Sequence, residues 1–208
     1  MSNKHFLKLF WYIALDILAV LAVFMAVRPF AEWYLSRSPA IGVDLYNSIS
    51  YVSYQLRHFS LPFNSFRDLN FGGFPLILDT PQLAFYLMMP FAALYGAGLG
   101  VQIFAIFSLF ALIFGCYLLF FKLTENFGIS IFLAVLVFLS LNIYGDFTWA
   151  GSIPYFLSQA FFPLGLFLGV RYFWEANVKN LSLLGAVAGI GFLIHPLSIM
   201  AFLLPSVL

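Results

Sequence analysis

"TPQLAFYLMMPFAALYGAGLGVQIFAIFSLFALIFGCYLLFF", residues 80–121, holds no charged side chain. A run of that length without charge has no face to turn towards water, and it reads as membrane-embedded helix. Helix is required because backbone polar groups in hydrocarbon must be satisfied within the segment. The glycines of "GAGLG" at 96–100 divide the run in two. Val101 to Phe121 is long enough to span. Pro81 to Tyr95 is about 15 residues with Pro90 inside, short of the roughly 17–25 a span needs. Asp79 and Thr80 ahead of Pro81 make a good helix start, a capping side chain followed by proline in the first turn.

The rest of the chain has the same character. Of 208 residues, 63% are hydrophobic and 8% charged, with a mean hydropathy of +1.01. An ordinary soluble domain is about 45–50% apolar and about 25% charged. These values exclude a water-soluble globule, a disordered chain and a nucleic-acid binder, since too few polar groups exist to cover a surface and no basic patch occurs. The net charge of +1 gives no global attraction to an anionic partner. Cys116 is the single cysteine, so no disulfide forms within the chain.

The expected fold class is therefore an all-α polytopic membrane protein, multi-pass in the cell membrane. Spans are predicted near 9–27, 101–121, 127–144, 152–170 and 181–200. An external loop, 28–100, would hold interfacial helices at 45–57 and 81–95. Lys4 and Lys8 precede the first span, and "VFMAVRPFAEWYL" is too bulky to be a cleavage site, so that span is read as uncleaved. The run from 180 to 208 is uncharged and has no polar tail. It reads as part of a longer polytopic chain continuing beyond Leu208, with a short natural chain as the alternative.

Orientation depends on 81–95. If that segment does not span and the N-terminus is cytoplasmic, Lys4, Lys8, Lys122, Arg171 and Lys179 all lie inside, and the long loop and the Gly145–Gly151 loop both lie outside. If it spans with the N-terminus inside, only Lys4 and Lys8 remain inside, against the positive-inside rule. If it spans with the N-terminus outside, the raw count of basic residues inside is highest. The first arrangement is preferred because the segment is short and carries a proline, and because long loops weigh less in the rule.

Most of the charge lies between Arg28 and Thr80, far more chain than a connector needs. Within it, Leu45, Ile49, Val52 and Leu56 recur at three- and four-residue steps and predict an amphipathic helix to Arg57, with Asp44 at its N-terminus. A capping role suffices for Asp44 taken alone. "GGFP" at 72–75 is a tight turn. Arg57 and Arg67 are candidate phosphate clamps, since a guanidinium grips phosphate in a fork, with solvated surface as the plainer reading. His58 closes the loop helix as a C-cap residue. Asp146 is the only acid in its loop, among the aromatics Tyr144, Trp149 and Tyr155, which suit a sugar ring or a prenyl chain. His195 sits in the uncharged run "GFLIHPLS", where an ionisable group is either functional or serves the carbonyl freed by Pro196. Asp16 has no evident partner. It either snorkels to the interface or pairs with a helix beyond Leu208. No metal-ligand cluster, Walker loop, GxSxG or dinucleotide fingerprint occurs.

The stretch Gly42–Pro90, "GVDLYN…LR…LPF…GGFPL…DTPQLAFYL", resembles the GT-C superfamily of membrane glycosyltransferases. Within it, the chain is most similar to the YfhO-like proteins and to the "6-pyruvoyl-tetrahydropterin synthase-related" membrane domains. "LIHP" at 193–196 adds a weaker match, and elsewhere the similarity is one of hydropathy. The resemblance implies a GT-C-like N-terminal transmembrane module that transfers a sugar from a polyprenyl-phosphate-linked donor to an acceptor at the external face. Asp44 matches the first-loop aspartate that acts as general base in active members, and such a base supplies about 10²–10⁴-fold. Arg57 or Arg67 would stabilise the leaving lipid phosphate, with His58 and His195 as further substrate-binding candidates. Asp146 matches by position the second-loop acid that some members use for metal or acceptor. It lacks the paired acid of the oligosaccharyltransferases, so the residues give no support for a divalent metal. Membrane lipid and the lipid-linked sugar are the expected partners. A non-catalytic protein of the same shape, handling lipid or envelope glycan, is the competing reading. A transporter is disfavoured, because polar residues concentrate in one loop rather than near mid-bilayer.

Overall fold

The computed structural model describes residues 3–36, 43–58, 66–67, 74–75, 82–140 and 153–195. Seven helices make up almost all of the described chain: α1 (Asn3–Leu35), α2 (Val43–Arg57), α3 (Gln82–Tyr95), α4 (Ala97–Thr124), α5 (Phe127–Phe138), α6 (Ile153–Trp174) and α7 (Val178–Ile194). The exception among the described residues is a two-residue antiparallel ladder of β1 (Phe66–Arg67) with β2 (Phe74–Pro75), Phe66 opposite Pro75 and Arg67 opposite Phe74. Three helices, α1, α4 and α6, are long and apolar enough to cross a membrane.

The uncharged run that opened the reading becomes the centre of the fold. α4 packs against α1, α2, α3, α5 and α6. Residue pairs along it fix the directions. Tyr12 meets Phe121, Asp16 meets Tyr117, and the Gln102 amide donates to the Tyr34 carbonyl at 3.5 Å, so α1 runs antiparallel to α4. Phe127 lies against Tyr117 and Phe138 against Phe30, so α5 returns alongside α1. Gly115 meets Pro163 and the Lys122 ammonium sits 4.7 Å over the Trp174 ring, so α6 runs parallel to α4. Tyr155 meets His195, so α7 runs back along α6.

The bundle therefore has two distinguishable ends. A basic end gathers the start of α1 with Lys4 and Lys8, the α4–α5 turn after Lys122, and the α6–α7 turn between Arg171 and Lys179. The opposite end, called the far end below, gathers the close of α1, the start of α4, the close of α5 and the start of α6. Both turns at the basic end are built from caps. Glu125 takes a left-handed φ of 52° and closes α4 on the Phe121 carbonyl. The Asn126 side chain then accepts from the Ile129 N–H, and the Asn177 side chain accepts from that of Asn180.

α3 turns into α4 through one residue, Gly96 at φ 82°. The two helices then lie so close that a Cβ on Gly100 would stand 2.5 Å from the Ala92 backbone. Phe91 packs on Phe104 and Phe107 across the same hairpin. Only a side-chain-free residue permits this approach, which explains part of the glycine cluster at 96–100. Gly98 and Gly100 lie within α4, so the cluster does not separate two helices over five residues as its composition suggests.

Several boundaries differ from the sequence reading. α1 continues to Leu35 rather than stopping near 27. Arg28 and Glu32 are one turn apart and pair at 2.7 Å, so both charges are helical rather than part of the loop. The buried stripe Ala19, Val23, Val27, Phe30 and Tyr34 carries the helix past Pro29. α4 and α6 are longer than 101–121 and 152–170. α5 ends at Phe138, and residues 141–152 lie outside the described residues. α7 covers 178–194, and the remainder of the expected 181–200 span lies outside them too.

Polar side chains inside the apolar helices bond to their own backbone. The Ser108 hydroxyl donates to the Phe104 carbonyl at 2.9 Å and that of Ser158 to the Tyr155 carbonyl at 2.6 Å. Such back-bonding lets a hydroxyl sit in an apolar helix without an unmet donor.

Candidate site around helix α2

α2 packs against α3, α4 and α6. Its buried face is Leu45, Ser48, Tyr51, Val52 and Gln55, with Tyr51 against Phe85 of α3 at 5.1 Å between ring centroids. The sequence stripe named Leu45, Ile49, Val52 and Leu56. Leu45 and Val52 are fully buried and Ile49 is half-buried, but Leu56 is 36% exposed while Gln55 is 2% exposed. The face is rotated because three helices flank α2 and enclose Ser48 and Gln55. A surface lying on lipid would have selected the purely apolar positions.

Asp44 is half-buried in the first turn of α2. α2 begins at Val43, so the carboxylate lies inside the helix start rather than at a residue preceding it. A carboxylate in the first turn lies near the positive end of the helix dipole, a placement worth about 0.3–1 kcal/mol to an anion.

Arg57 and His58 lie at the other end of α2, both exposed. The His58 N–H donates to the Tyr54 carbonyl at 2.9 Å, and its ring lies 4.6 Å from that of Tyr54. The last turn is thereby completed. The helical rise puts about 20 Å between Asp44 and Arg57 along the axis.

Arg67 lies in β1. Asp146 falls outside the described residues, as do Tyr144 and Trp149. His195 caps the end of α7, its N–H donating to the Gly191 carbonyl at 2.9 Å, and its ring meets that of Tyr155 edge-on at 5.5 Å. No cluster of three or more metal-ligating side chains occurs among the described residues.

Connectivity fixes where the chain leaves and rejoins the bundle. α1 closes and α4 opens side by side at the Gln102–Tyr34 bond. The chain therefore leaves α1 at Ser36 and enters α4 at Ala97 at the same, far end. α5 closes and α6 opens towards that end as well, flanking the segment that contains Asp146.

Asp16 is a residue whose partner the sequence did not reveal. Its carboxylate accepts from the Tyr117 hydroxyl at 3.3 Å, across residues 101 apart in the chain. That partner is a phenol within α4. A tyrosine in an aromatic run carries no sequence signal for such a role. No family model, curated protein or solved structure matches the chain.

Proposed function

We propose that this is a multi-pass membrane protein that transfers a sugar from a polyprenyl-phosphate-linked donor, with Asp44 as general base. The single observation that carries the reading is the shared end of α1 and α4. It makes 36–96 an excursion that starts and finishes on one side of the bundle, and that excursion holds Asp44, half-buried, in the first turn of α2. In this proposal the three long apolar helices cross the bilayer, the basic end is cytoplasmic and the far end is external. α3, hairpinned on the first half of α4, enters and leaves from the external side.

Asp44 takes the proton from an acceptor hydroxyl as its oxygen attacks the anomeric carbon. The bond from that carbon to the phosphate oxygen breaks, and the lipid phosphate departs with the electron pair. A half-buried carboxylate is partly shielded from water, which strengthens its interaction with the developing charge. Arg57 or Arg67 is the proposed phosphate clamp.

The test is transfer by membranes containing the chain, supplied with a panel of polyprenyl-phosphate sugars. Asp44→Asn is expected to lower transfer by about 10²-fold or more, the share a general base supplies, with expression and donor binding retained. Wild-type transfer by that variant contradicts the assignment. Donor binding without transfer by the wild type favours the lipid-handling alternative.

A further inference from the structure

α1 is the least covered of the three long helices: 17% of its apolar window is buried, against 56% for α4 and 50% for α6. On its open side lies a shallow, open groove of about 280 Å³ along one face of the helix, lined by Ile13, Asp16, Ile17, Val20 and Leu21, whose aliphatic members are exposed. Four of these are branched aliphatic side chains, and the fifth is a carboxylate. Tyr117, whose side chain is fully buried, donates its hydroxyl to one oxygen of that carboxylate. An aspartate in an apolar groove is costly unless it meets hydrogen-bond donors or a cation. One phenol satisfies only part of what a carboxylate can accept. Among the described cations, Lys122 sits over the Trp174 ring and Arg28 pairs with Glu32.

We propose that this groove is a binding site for an amphiphile with a primary ammonium headgroup, such as a phospholipid of the ethanolamine type. The ammonium donates hydrogen bonds to Asp16, and an acyl chain runs inward along Ile17, Val20 and Leu21. Three observations favour that occupant. Charge complementarity calls for a cation with N–H donors, which a quaternary ammonium lacks. Depth agrees as well. Tyr117 stands about 8 Å along α4 from Lys122 at the basic end, and side chains on α1 lean towards the start of that helix, so the carboxylate points at the boundary where headgroups lie. The walls are bulky and branched, which suits a flexible chain. A docking helix favours small residues that let backbones approach.

This inference rests on the membrane placement proposed above and is independent of sugar transfer. The test is native mass spectrometry of the purified whole chain, titrated separately with phosphatidylethanolamine and phosphatidylcholine of equal chain length. The wild type is expected to bind one phosphatidylethanolamine about tenfold more tightly than phosphatidylcholine, the factor for one charge-assisted contact. Asp16→Asn is expected to bring the two within about twofold, and Asp16→Glu to keep a preference for the ethanolamine lipid. Helix content by circular dichroism shows that each variant is folded. Equal affinity of the wild type for the two lipids overturns the proposal, as does a preference that survives in Asp16→Asn. A stoichiometric polypeptide that stays bound to the wild type and is lost from Asp16→Asn also overturns it, because the groove then belongs to a partner helix. Retained lipid preference in a chain with no transferase activity leaves this inference standing and counts only against the enzymatic reading.

Discussion

Two glycines two residues apart on α4, Gly98 and Gly100, make opposite demands. Gly100 faces the Ala92 backbone at a distance no Cβ tolerates, whereas nothing lies within 4 Å of a Cβ on Gly98. Gly100→Ala is expected to cost about 1–3 kcal/mol, the usual penalty of overpacking. Gly98→Ala is expected to leave stability unchanged or raise it by up to about 1 kcal/mol through helix propensity. Thermal unfolding in detergent separates the two. Glu125 supplies a second test at this scale. A β-carbon at φ 52° is unfavourable, so Glu125→Gly should raise the unfolding temperature by the equivalent of about 0.5–1 kcal/mol, and an unchanged value contradicts the left-handed cap. Asp16 shows where residue-level reading stops. Its cost in an apolar helix was legible, but its partner was not, because a tyrosine 101 residues away looks like ordinary aromatic filling.

At the scale of elements, helicity was legible throughout, because uncharged runs in lipid-compatible sequence have one solution to backbone hydrogen bonding. Helix ends were less so. A charge such as Arg28 reads as a loop signal, yet a Glu one turn later keeps it helical. The orientation of α2 was also missed by a fraction of a turn. Hydrophobic periodicity assumes that buried means apolar, and Ser48 and Gln55 break that rule where three helices enclose them. Leu45 and Leu56 discriminate the packed helix from one resting on a surface. Leu45→Ala is expected to cost about 2–5 kcal/mol as a core truncation. Leu56→Ala, partly exposed beyond the α3 contact, is expected to cost less than about 1 kcal/mol. Equal small losses on denaturation would detach α2 from the bundle.

At the scale of the whole molecule, the sequence left three topologies open because counting basic residues did not choose among them. The contacts along α4 supply what counting lacked: direction. α1 meets α4 head to tail, so the chain reaches the far end at Ser36 and leaves it again at Ala97. In the membrane placement proposed above, an even number of crossings then lies between those points, so α3 does not cross alone. The candidate site was legible only in part for a related reason. The sequence placed Asp44 and Arg57 at the two ends of one predicted helix, and α2 over Val43–Arg57 sets them about 20 Å apart. What joins Asp44 to the rest of the excursion is the shared end of two long helices.

Site-directed labelling tests that claim most directly. In a Cys116→Ala background, single cysteines at Ser36, Leu99, Glu125 and Glu175 would be treated in intact cells with a membrane-impermeant maleimide. Cysteines at 36 and 99 are expected to react together from outside, and those at 125 and 175 only after permeabilisation. Reaction of 36 and 99 from opposite sides would mean that the chain crosses between them, and the single-sided excursion carrying Asp44 would not exist.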